Sequence, residues 1–385
     1  MFPVHGSSDT LSLLVRNRRE FLRLASASIA TSAIFPAPRA HAFRQTDRSK
    51  VVIVTFGGGA RDEETFAPDG QENIPGLIKT LLPHSTFFGQ VVNRGILGHY
   101  VATTSLATGV YETFNNFSGV APPHPTLFEY FRSDLKRPAT DAWVISPSNG
   151  FRNMGSSTAR RYGPGAGASV ILPKQLLRAA APDFSTGNVD RLLRDTYEEP
   201  HASVGLTGSE GNLRQIEEVL RLSRDEFVRH ALSLDSADEM SVYVARQLML
   251  LVAPSLLWIT LHDIDVAHSG AFSLYIEGIQ RTDRLCVEIW NNIQSNPEYA
   301  GNTTMFVLPD FGRDSDADPA GNSFQHHRTG DAASRTTWMM VLGPGVRQGA
   351  FVQRPVESID LVPTIGKILG IDTPLAQGNF LPEVA

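Results

Sequence analysis

The sequence is poor in cysteine: Cys286 is the single one in 385 residues. One cysteine excludes an internal disulfide, so the stability of the fold must come from buried apolar surface. Cys286 itself lies in a helical apolar pattern that includes Tyr275, Ile279, Ile289 and Ile293. We therefore expect it to be a small core residue and not a reactive thiol.

The chain also lacks an excess of positive charge and any long hydrophobic run. Without the first 42 residues it carries 29 basic and 38 acidic side chains, a formal net charge near −9. An acidic surface argues against nucleic acid or an anionic membrane as a partner. A membrane-spanning helix needs about 20 apolar residues, so we expect no integral span in the mature chain. The absence of G-x-S-x-G counts against an α/β-hydrolase.

Residues 1–42 have the pattern of an export signal. Asn17-Arg18-Arg19-Glu20-Phe21-Leu22-Arg23 is similar to a twin-arginine motif, and a modestly apolar stretch follows from Leu24 to Phe35. Ala40-His41-Ala42 then fits a small-x-small cleavage site. We expect export by the twin-arginine machinery to a periplasmic or secreted location, with a lipid-anchored or uncleaved chain as the alternative. Residues 43–385 are enough for one large domain.

Short, continuously apolar runs recur along this domain and predict buried strands. Helical patterns lie between them, among them the capping sequence at Ser236, the amphipathic stretch Phe272 to Ile293, and Leu361 to Leu369 before Gly370. This alternation predicts a three-layer α/β/α fold with a mostly parallel central sheet. A Gly-, Ser- and Pro-rich stretch followed by a polar helical one predicts an inserted, cap-like region at about 147–235. The strand runs are Val51–Phe56, Ala142–Ile145, Leu256–Leu261, Thr304–Leu308 and Thr337–Leu342.

Acidic and histidine residues crowd the ends of these predicted strands. HDIDVAH follows Leu261, PDFGRD follows Leu308, and GPG follows Leu342, while His326-His327-Arg328 precedes the last strand. The carboxyl ends of parallel strands share one edge of a sheet, and ligands bind there. Mixed Asp and His ligands suit Zn²⁺, with Mn²⁺ or Fe as alternatives, although acidic loops can also be merely solvated. The candidate ligands are Asp263, Asp265, His268, Asp310, His326 and His327.

Several motifs together resemble the alkaline phosphatase superfamily, which includes phosphodiesterases and sulfatases. Ser358-Ile359-Asp360-Leu361-Val362-Pro363-Thr364-Ile365, leading to Leu369-Gly370, is the most specific of them. Ser105-Leu106-Ala107-Thr108-Gly109 is similar to the S-L-x-T-G that follows the nucleophile in sulfatases and phosphodiesterases. The resemblance implies an alkaline-phosphatase-like fold. It also implies one metal held by Asp263 or Asp265, His268, and His326 or His327, and a second metal near Asp310.

The sequence departs from this pattern at three positions. Gly57 stands where the first strand should end in Asp, and Phe311 replaces the histidine of Asp-His-Gly. The spacing from Thr108-Gly109 places His99 at the nucleophile position. The second ion would therefore keep one obvious ligand, and we expect one ion rather than two. Three roles remain open for His99: a covalent nucleophile, a metal ligand or general base, or a structural remnant.

Two functional hypotheses follow from these residues. In the first, the protein is an exported, metal-dependent hydrolase of phosphate or sulfate esters with a remodelled active site. Its substrate would be a small anionic ester, with Arg313 and Arg328 as candidate substrate-binding groups. In the second, the protein is a non-catalytic, alkaline-phosphatase-like binding protein that retains at most one metal. Metal stoichiometry and activity toward a panel of esters discriminate the two.

Overall fold

The protein is represented by a computed structural model that describes residues 49–162, 165–181, 189, 192–193, 209–316 and 322–384. The predicted signal peptide and part of the predicted insertion lie outside the described residues. Export and the insertion therefore stay predictions.

Nine strands of the described chain form one sheet, and each of the five predicted runs falls within one of them. The first strand is buried along its whole length, as its uninterrupted apolar sequence requires. The strands are β1 (Lys50–Phe56), β2 (Ser85–Val92), β3 (Ala142–Ile145), β4 (Ser169–Ile171), β5 (Leu256–Leu261), β6 (Thr303–Leu308), β7 (Thr336–Leu342), β8 (Ala350–Val352) and β9 (Val356–Glu357).

The sheet is mostly parallel, in the order β4-β3-β5-β1-β6-β7-β2-β8, with β9 also paired to β2. β1 lies between β5 and β6 and runs parallel to both. β7 is the exception, because it runs antiparallel to both β6 and β2. Leu342, the last residue of β7, therefore pairs with Met305 near the start of β6. The expectation that Gly343-Pro344-Gly345 joins the other loops at one edge is wrong for this reason.

The three helices that the sequence predicts from apolar periodicity and capping residues are all present. Ser236 caps its helix by accepting a hydrogen bond from the backbone N–H of Glu239, and Gly370 ends the last long helix in the left-handed conformation. The helices are α1 (His99–Thr108), α2 (Leu127–Asp134), α3 (Pro173–Ala180), α4 (Ser209–Arg214), α5 (Arg224–Ala231), α6 (Ala237–Leu251), α7 (Phe272–Ser295), α8 (Ala332–Arg335) and α9 (Leu361–Leu369).

Two large apolar clusters, one on each face of the sheet, form most of the core. Val52 and Val54 of β1 belong to a cluster with residues of α3, α6 and α7. Val51 and Ile53 of the same strand belong to a second cluster with residues of α1, α2 and α9. Because alternate side chains of a strand point to opposite faces, this division confirms the predicted three-layer α/β/α fold. Cys286 is buried in the first cluster, as expected.

The end of β1 packs tightly beneath the loop that follows β5. A Cβ atom on Gly57 would lie 2.1 Å from the carbonyl oxygen of Leu261, and one on Gly58 would lie 2.5 Å from the backbone nitrogen of Asp265. Neither position tolerates a side chain without movement of the backbone. Among the described helices, none is both long and apolar enough to cross a lipid bilayer.

Candidate metal centre

The candidate site lies at one edge of the sheet, where the carboxyl ends of β5 and β6 meet the segment that precedes β7. The antiparallel direction of β7 brings His326 and His327 to this edge, since they come before that strand. The N-terminus of α1 adds His99 as its first residue. Four separate segments of the chain therefore supply the polar side chains at this edge.

Asp265 and His268 share one side of a short 3-10 turn, Asp263–Ser269. Because such a turn has three residues per revolution, positions three apart lie above one another. The Nε2 atom of His268 lies 3.2 Å from the Oδ1 atom of Asp265. Asp265 is almost fully buried, and burial alone would raise its pKa. The neighbouring His99 and His262 instead hold that pKa well below its usual range.

His327 completes the group from the opposite side. Its Nε2 atom lies 2.9 Å from the Nε2 atom of His268, so two ring nitrogens face each other. Burial and the nearby His99 and Arg313 lower the pKa of His327 to about 2. Its imidazole is therefore neutral at ordinary pH, which is the form that binds a metal.

His99 is held between two carboxylates. Its Nδ1 atom lies 2.6 Å from Oδ2 of Asp310, and its Nε2 atom lies 2.9 Å from Oδ1 of Asp265. The ring of Phe311 stacks on it at a centroid distance of 4.6 Å. Burial alone would lower the pKa of His99, but Asp265 and Asp310 outweigh burial and raise it to about 9. Both ring nitrogens are thus directed at acidic partners.

The four donor side chains fit a divalent metal ion. One ligand atom each from His99, Asp265, His268 and His327 lies within 4.8 Å of the others. Three nitrogens and one carboxylate oxygen are a donor set that Zn²⁺ accepts. The Nε2 atom of His99 is buried, and among the described residues its nearest acidic neighbour, Oδ1 of Asp265 at 2.9 Å, does not meet it with the geometry of a hydrogen bond. A cation between these atoms would satisfy this nitrogen and separate the two facing imidazoles.

Asp310 stands behind His99 and outside the group of four. Its contact with Nδ1 leaves the Nε2 atom of the same ring directed at the other ligands. A carboxylate in this position fixes the tautomer and the orientation of a ligating histidine. The structure therefore places Asp310 at the site, where it supports His99 and is not one of the four donors.

The structure separates the alternative ligands that the sequence left open. Asp263 forms an ion pair with Arg281 at 3.1 Å, on the helix behind the loop, and does not join the four donors. His326 lines the cavity over the site but is likewise not one of the four. The group of four therefore contains Asp265 and His327, and not Asp263 or His326.

The two arginines predicted to contact substrate have different environments. Arg328 lines the cavity, with 69% of its side chain exposed and its Nε atom 3.3 Å from Asp314. Arg313 is fully buried and donates hydrogen bonds to the carbonyl of Gly59 at 3.0 Å and to Oδ1 of Asp265 at 3.0 Å. The substrate-binding expectation for Arg313 is therefore corrected: buried beneath the site, it holds the carboxylate of Asp265 in place.

A cavity of about 460 Å³ opens above the four donors, all of which line it. Its walls include three polar groups that no sequence motif indicates, namely Tyr100, Ser148 and Lys174. His262, noted in the sequence but given no role, also lines the cavity with its ring 4.9 Å from that of His99. Burial lowers the pKa of His262 to about 4, so the ring is neutral at ordinary pH.

Asp238 was also missed by sequence reasoning. It lies in the first turn of α6, fully buried, and accepts hydrogen bonds from the backbone N–H groups of His262 and Asp263 at 2.8 Å. It thereby holds the loop that carries Asp265 and His268. The only sequence signal was its place in a capping sequence, which predicts the start of a helix and not a contact with a distant loop.

No protein-family model matches this chain, and no curated protein matches it. Solved structures do share its fold. A protein of the alkaline phosphatase superfamily from Vibrio parahaemolyticus aligns over 94% of this chain and 77% of its own, with a TM-score of 0.52 and 11% identity. Alkaline phosphatase PafA aligns over 88% of this chain and 99% of its own, with a TM-score of 0.52 and 11% identity. BT1596, a 2-O GAG sulfatase, aligns over 86% and 73%, with a TM-score of 0.52 and 13% identity.

Proposed function

We propose that this chain, which has the fold of the alkaline phosphatase superfamily, is an exported hydrolase of phosphate or sulfate esters that depends on one divalent metal ion. One observation carries the proposal: four metal-ligating side chains from three separate segments converge on the floor of a cavity large enough for a small ester. The phosphatase and the sulfatase that share the fold suggest the two ester classes.

Asp265, His268, His327 and His99 would hold the ion, with zinc as the best match to three nitrogens and one carboxylate oxygen. A bound divalent cation supplies Lewis acidity toward an ester oxygen and makes water a better nucleophile at neutral pH. The protein's own task is to orient these ligands. Burial lowers the pKa of His327 and keeps that ring neutral, and the contact between Asp310 and Nδ1 of His99 fixes the orientation of the His99 ring.

The geometry favours a ligand role for His99 over that of a covalent nucleophile. A nucleophilic imidazole needs a nitrogen lone pair directed at the substrate. In this structure Nδ1 faces Asp310, and Nε2 faces Asp265 and the other metal ligands. Hydrolysis would then proceed by direct attack of water on phosphorus or sulfur, with release of the alcohol and of inorganic phosphate or sulfate.

A second ion lacks ligands at the position that the family resemblance implies. Gly57 has no room for a carboxylate side chain, and Phe311 occupies the next position with an apolar ring stacked on His99. The imidazole of His99 itself contacts the carboxylate of Asp310, which would otherwise serve that ion. We propose a site of one ion per chain.

Two cationic side chains at the cavity would receive the anionic ester. Lys174 and Arg328 both line the cavity that the four donors share. The guanidinium of Arg328 is largely exposed, so it can pair with a phosphoryl or sulfuryl oxygen. Together they would attract a small anion to the ion-binding floor.

The experiment that tests this function combines metal analysis with an ester panel. The exported protein is purified without chelators, its metal content is measured by elemental analysis, and turnover is assayed on 4-nitrophenyl phosphate, bis(4-nitrophenyl) phosphate and 4-nitrophenyl sulfate. We expect about one zinc per chain and hydrolysis of at least one ester. His327→Ala should lower both by at least about tenfold, since it removes one of four ligands.

Neighbouring residues provide matched controls. His326→Ala and Asp263→Asn change the same residue types in the same loops but spare the four donors, so metal content should stay within about twofold of that of the parent protein. Equal losses in His326→Ala and His327→Ala would contradict the assigned ligand set. One tightly held ion with no turnover on any ester would instead favour the non-catalytic binding protein.

The export element of the proposal has its own test. Mass spectrometry of the periplasmic or secreted protein should find an N-terminus at Phe43, after Ala42. A full-length chain confined to the cytoplasm would contradict it.

A further inference from the structure

An apolar wall stands beside the metal centre in the same cavity. Ile96, Leu97, Phe117 and Pro147 line the cavity together with the four donors. Ile96 is 40% exposed and Phe117 is 70% exposed, so their apolar surface is open to solvent. The cavity thus has a metal-ligating floor and an apolar wall whose side chains are partly exposed.

The loop that carries Phe117 is fastened to the helix that carries His99. The side-chain oxygen of Asn116 accepts hydrogen bonds from the backbone N–H groups of Tyr100 and Val101 at 3.0 and 3.2 Å, which caps the start of α1. The side-chain oxygen of Asn115 accepts a hydrogen bond from the N–H of Phe117 at 2.9 Å. The exposed ring is therefore held at a defined place above the site.

Aromatic contacts connect this wall to the metal ligands. The ring of Tyr100 lies 6.2 Å from that of Phe117 and 6.4 Å from that of His262, and the ring of His262 lies 4.9 Å from that of His99. A ligand whose anionic end sits on the metal-binding floor would therefore lay the rest of its body along Tyr100 and Phe117. Apolar surface at a cavity mouth is covered when a ligand supplies apolar surface of its own.

We infer that the substrate is the ester of a hydrophobic alcohol: an anionic phosphate or sulfate head joined to an aliphatic or aromatic tail that packs against Ile96 and Phe117. This inference rests on the proposed function, because that function places the anionic head on the metal centre. Phe117 is then a residue that determines specificity, since it contacts the tail and not the reacting atoms.

Binding of phosphonates, whose carbon–phosphorus bond makes them unreactive mimics of the ester, tests this inference. Ethylphosphonate, octylphosphonate and phenylphosphonate are titrated into the zinc-loaded full chain by calorimetry. We expect the octyl or the phenyl compound to bind at least about tenfold more tightly than the ethyl compound, because its tail leaves water for the apolar wall. The octyl and phenyl arms distinguish an aliphatic from an aromatic tail.

Substitutions at Phe117 test whether the apolar wall causes the preference for a larger tail. Phe117→Ala should reduce the preference for the larger tail to about threefold or less, and Phe117→Leu should retain most of it. Leu250→Ala removes an equally exposed side chain outside the cavity and should leave the preference unchanged. Equal affinity for all three phosphonates, no binding of any of them, or a preference unaffected by Phe117→Ala would overturn the inference.

The measurement does not depend on turnover. A tail preference in a protein that hydrolyses no ester would contradict the proposed hydrolase alone. Hydrolysis without a tail preference would contradict this inference alone.

Discussion

At the scale of single residues, the contact between His99 and Asp310 distinguishes this site. The family resemblance places a nucleophile at position 99 and a metal ligand at position 310, but here the two side chains contact each other at 2.6 Å. With Nδ1 directed at the carboxylate, the imidazole presents Nε2 toward Asp265 and the other ligands. A carboxylate, a histidine and a metal in this order form a common supporting arrangement in metalloproteins.

Asp310→Asn is expected to weaken zinc binding by about 10- to 100-fold, because the amide no longer fixes the tautomer of His99. Competition with a fluorescent zinc chelator measures the affinity. Asp263→Asn serves as the control, since its carboxylate is engaged by Arg281 and lies away from the ion. An unchanged zinc affinity in Asp310→Asn would contradict the supporting role of Asp310.

The residue types of the site could be predicted from the sequence, but the choice between neighbours could not. Asp265 is three residues before His268, a spacing that suits a 3-10 turn, whereas Asp263 is five residues before it. The deciding contact for Asp263 comes from Arg281 on α7, and no local pattern predicts it. The burial of Arg313 depends in the same way on carbonyls of a loop about 250 positions earlier in the chain.

At the scale of elements, strand direction determines which loops meet. The five apolar runs predicted the central strands because both their faces are covered, so an uninterrupted apolar sequence identifies them. The sequence does not predict β2, Ser85–Val92, because Ser, Thr, Gly and Gln interrupt its apolar run. The antiparallel direction of β7 also has no local sequence signal, since it follows from pairing with β2 and β6. That direction brings His327 to the site and takes Gly343 away from it.

Gly57→Asp tests the tight packing between the end of β1 and the end of β5. The substitution restores the carboxylate that the family resemblance expects, but its Cβ atom would lie 2.1 Å from the carbonyl oxygen of Leu261. We expect it to lower the free energy of unfolding by about 1–3 kcal/mol, as overpacking does, without creating a second metal site. Urea denaturation and elemental analysis measure the two effects.

Gly330→Ala is the control for this substitution, because a Cβ atom on Gly330 would meet no neighbour within 4 Å. Its free energy of unfolding should stay within about 0.5 kcal/mol of that of the parent protein. Two ions per chain in Gly57→Asp, at undiminished stability, would contradict the packing argument.

At the scale of the whole molecule, the four donors connect segments that are far apart in the chain. His99 begins α1, Asp265 and His268 follow β5, and His327 precedes β7. The two apolar clusters hold the layers together without the ion, because they pack the helices on both faces of the sheet. An ion at this edge would therefore add stability to a fold that the core already maintains, because it would link loops that the core brings close together.

This arrangement predicts a measurable stabilisation by zinc. A ligand that binds only the folded state raises the free energy of unfolding by about 2.7 kcal/mol when its free concentration is 100 times its Kd. We expect urea denaturation of the chelator-treated protein to shift by about this amount on addition of zinc at that concentration. His326→Ala should show the same shift. His327→Ala should show little shift at the same zinc concentration. Loss of one of the four ligands weakens zinc binding, and weaker binding stabilises the folded state less. The same shift in His327→Ala as in His326→Ala would mean that zinc stabilises the fold from another site.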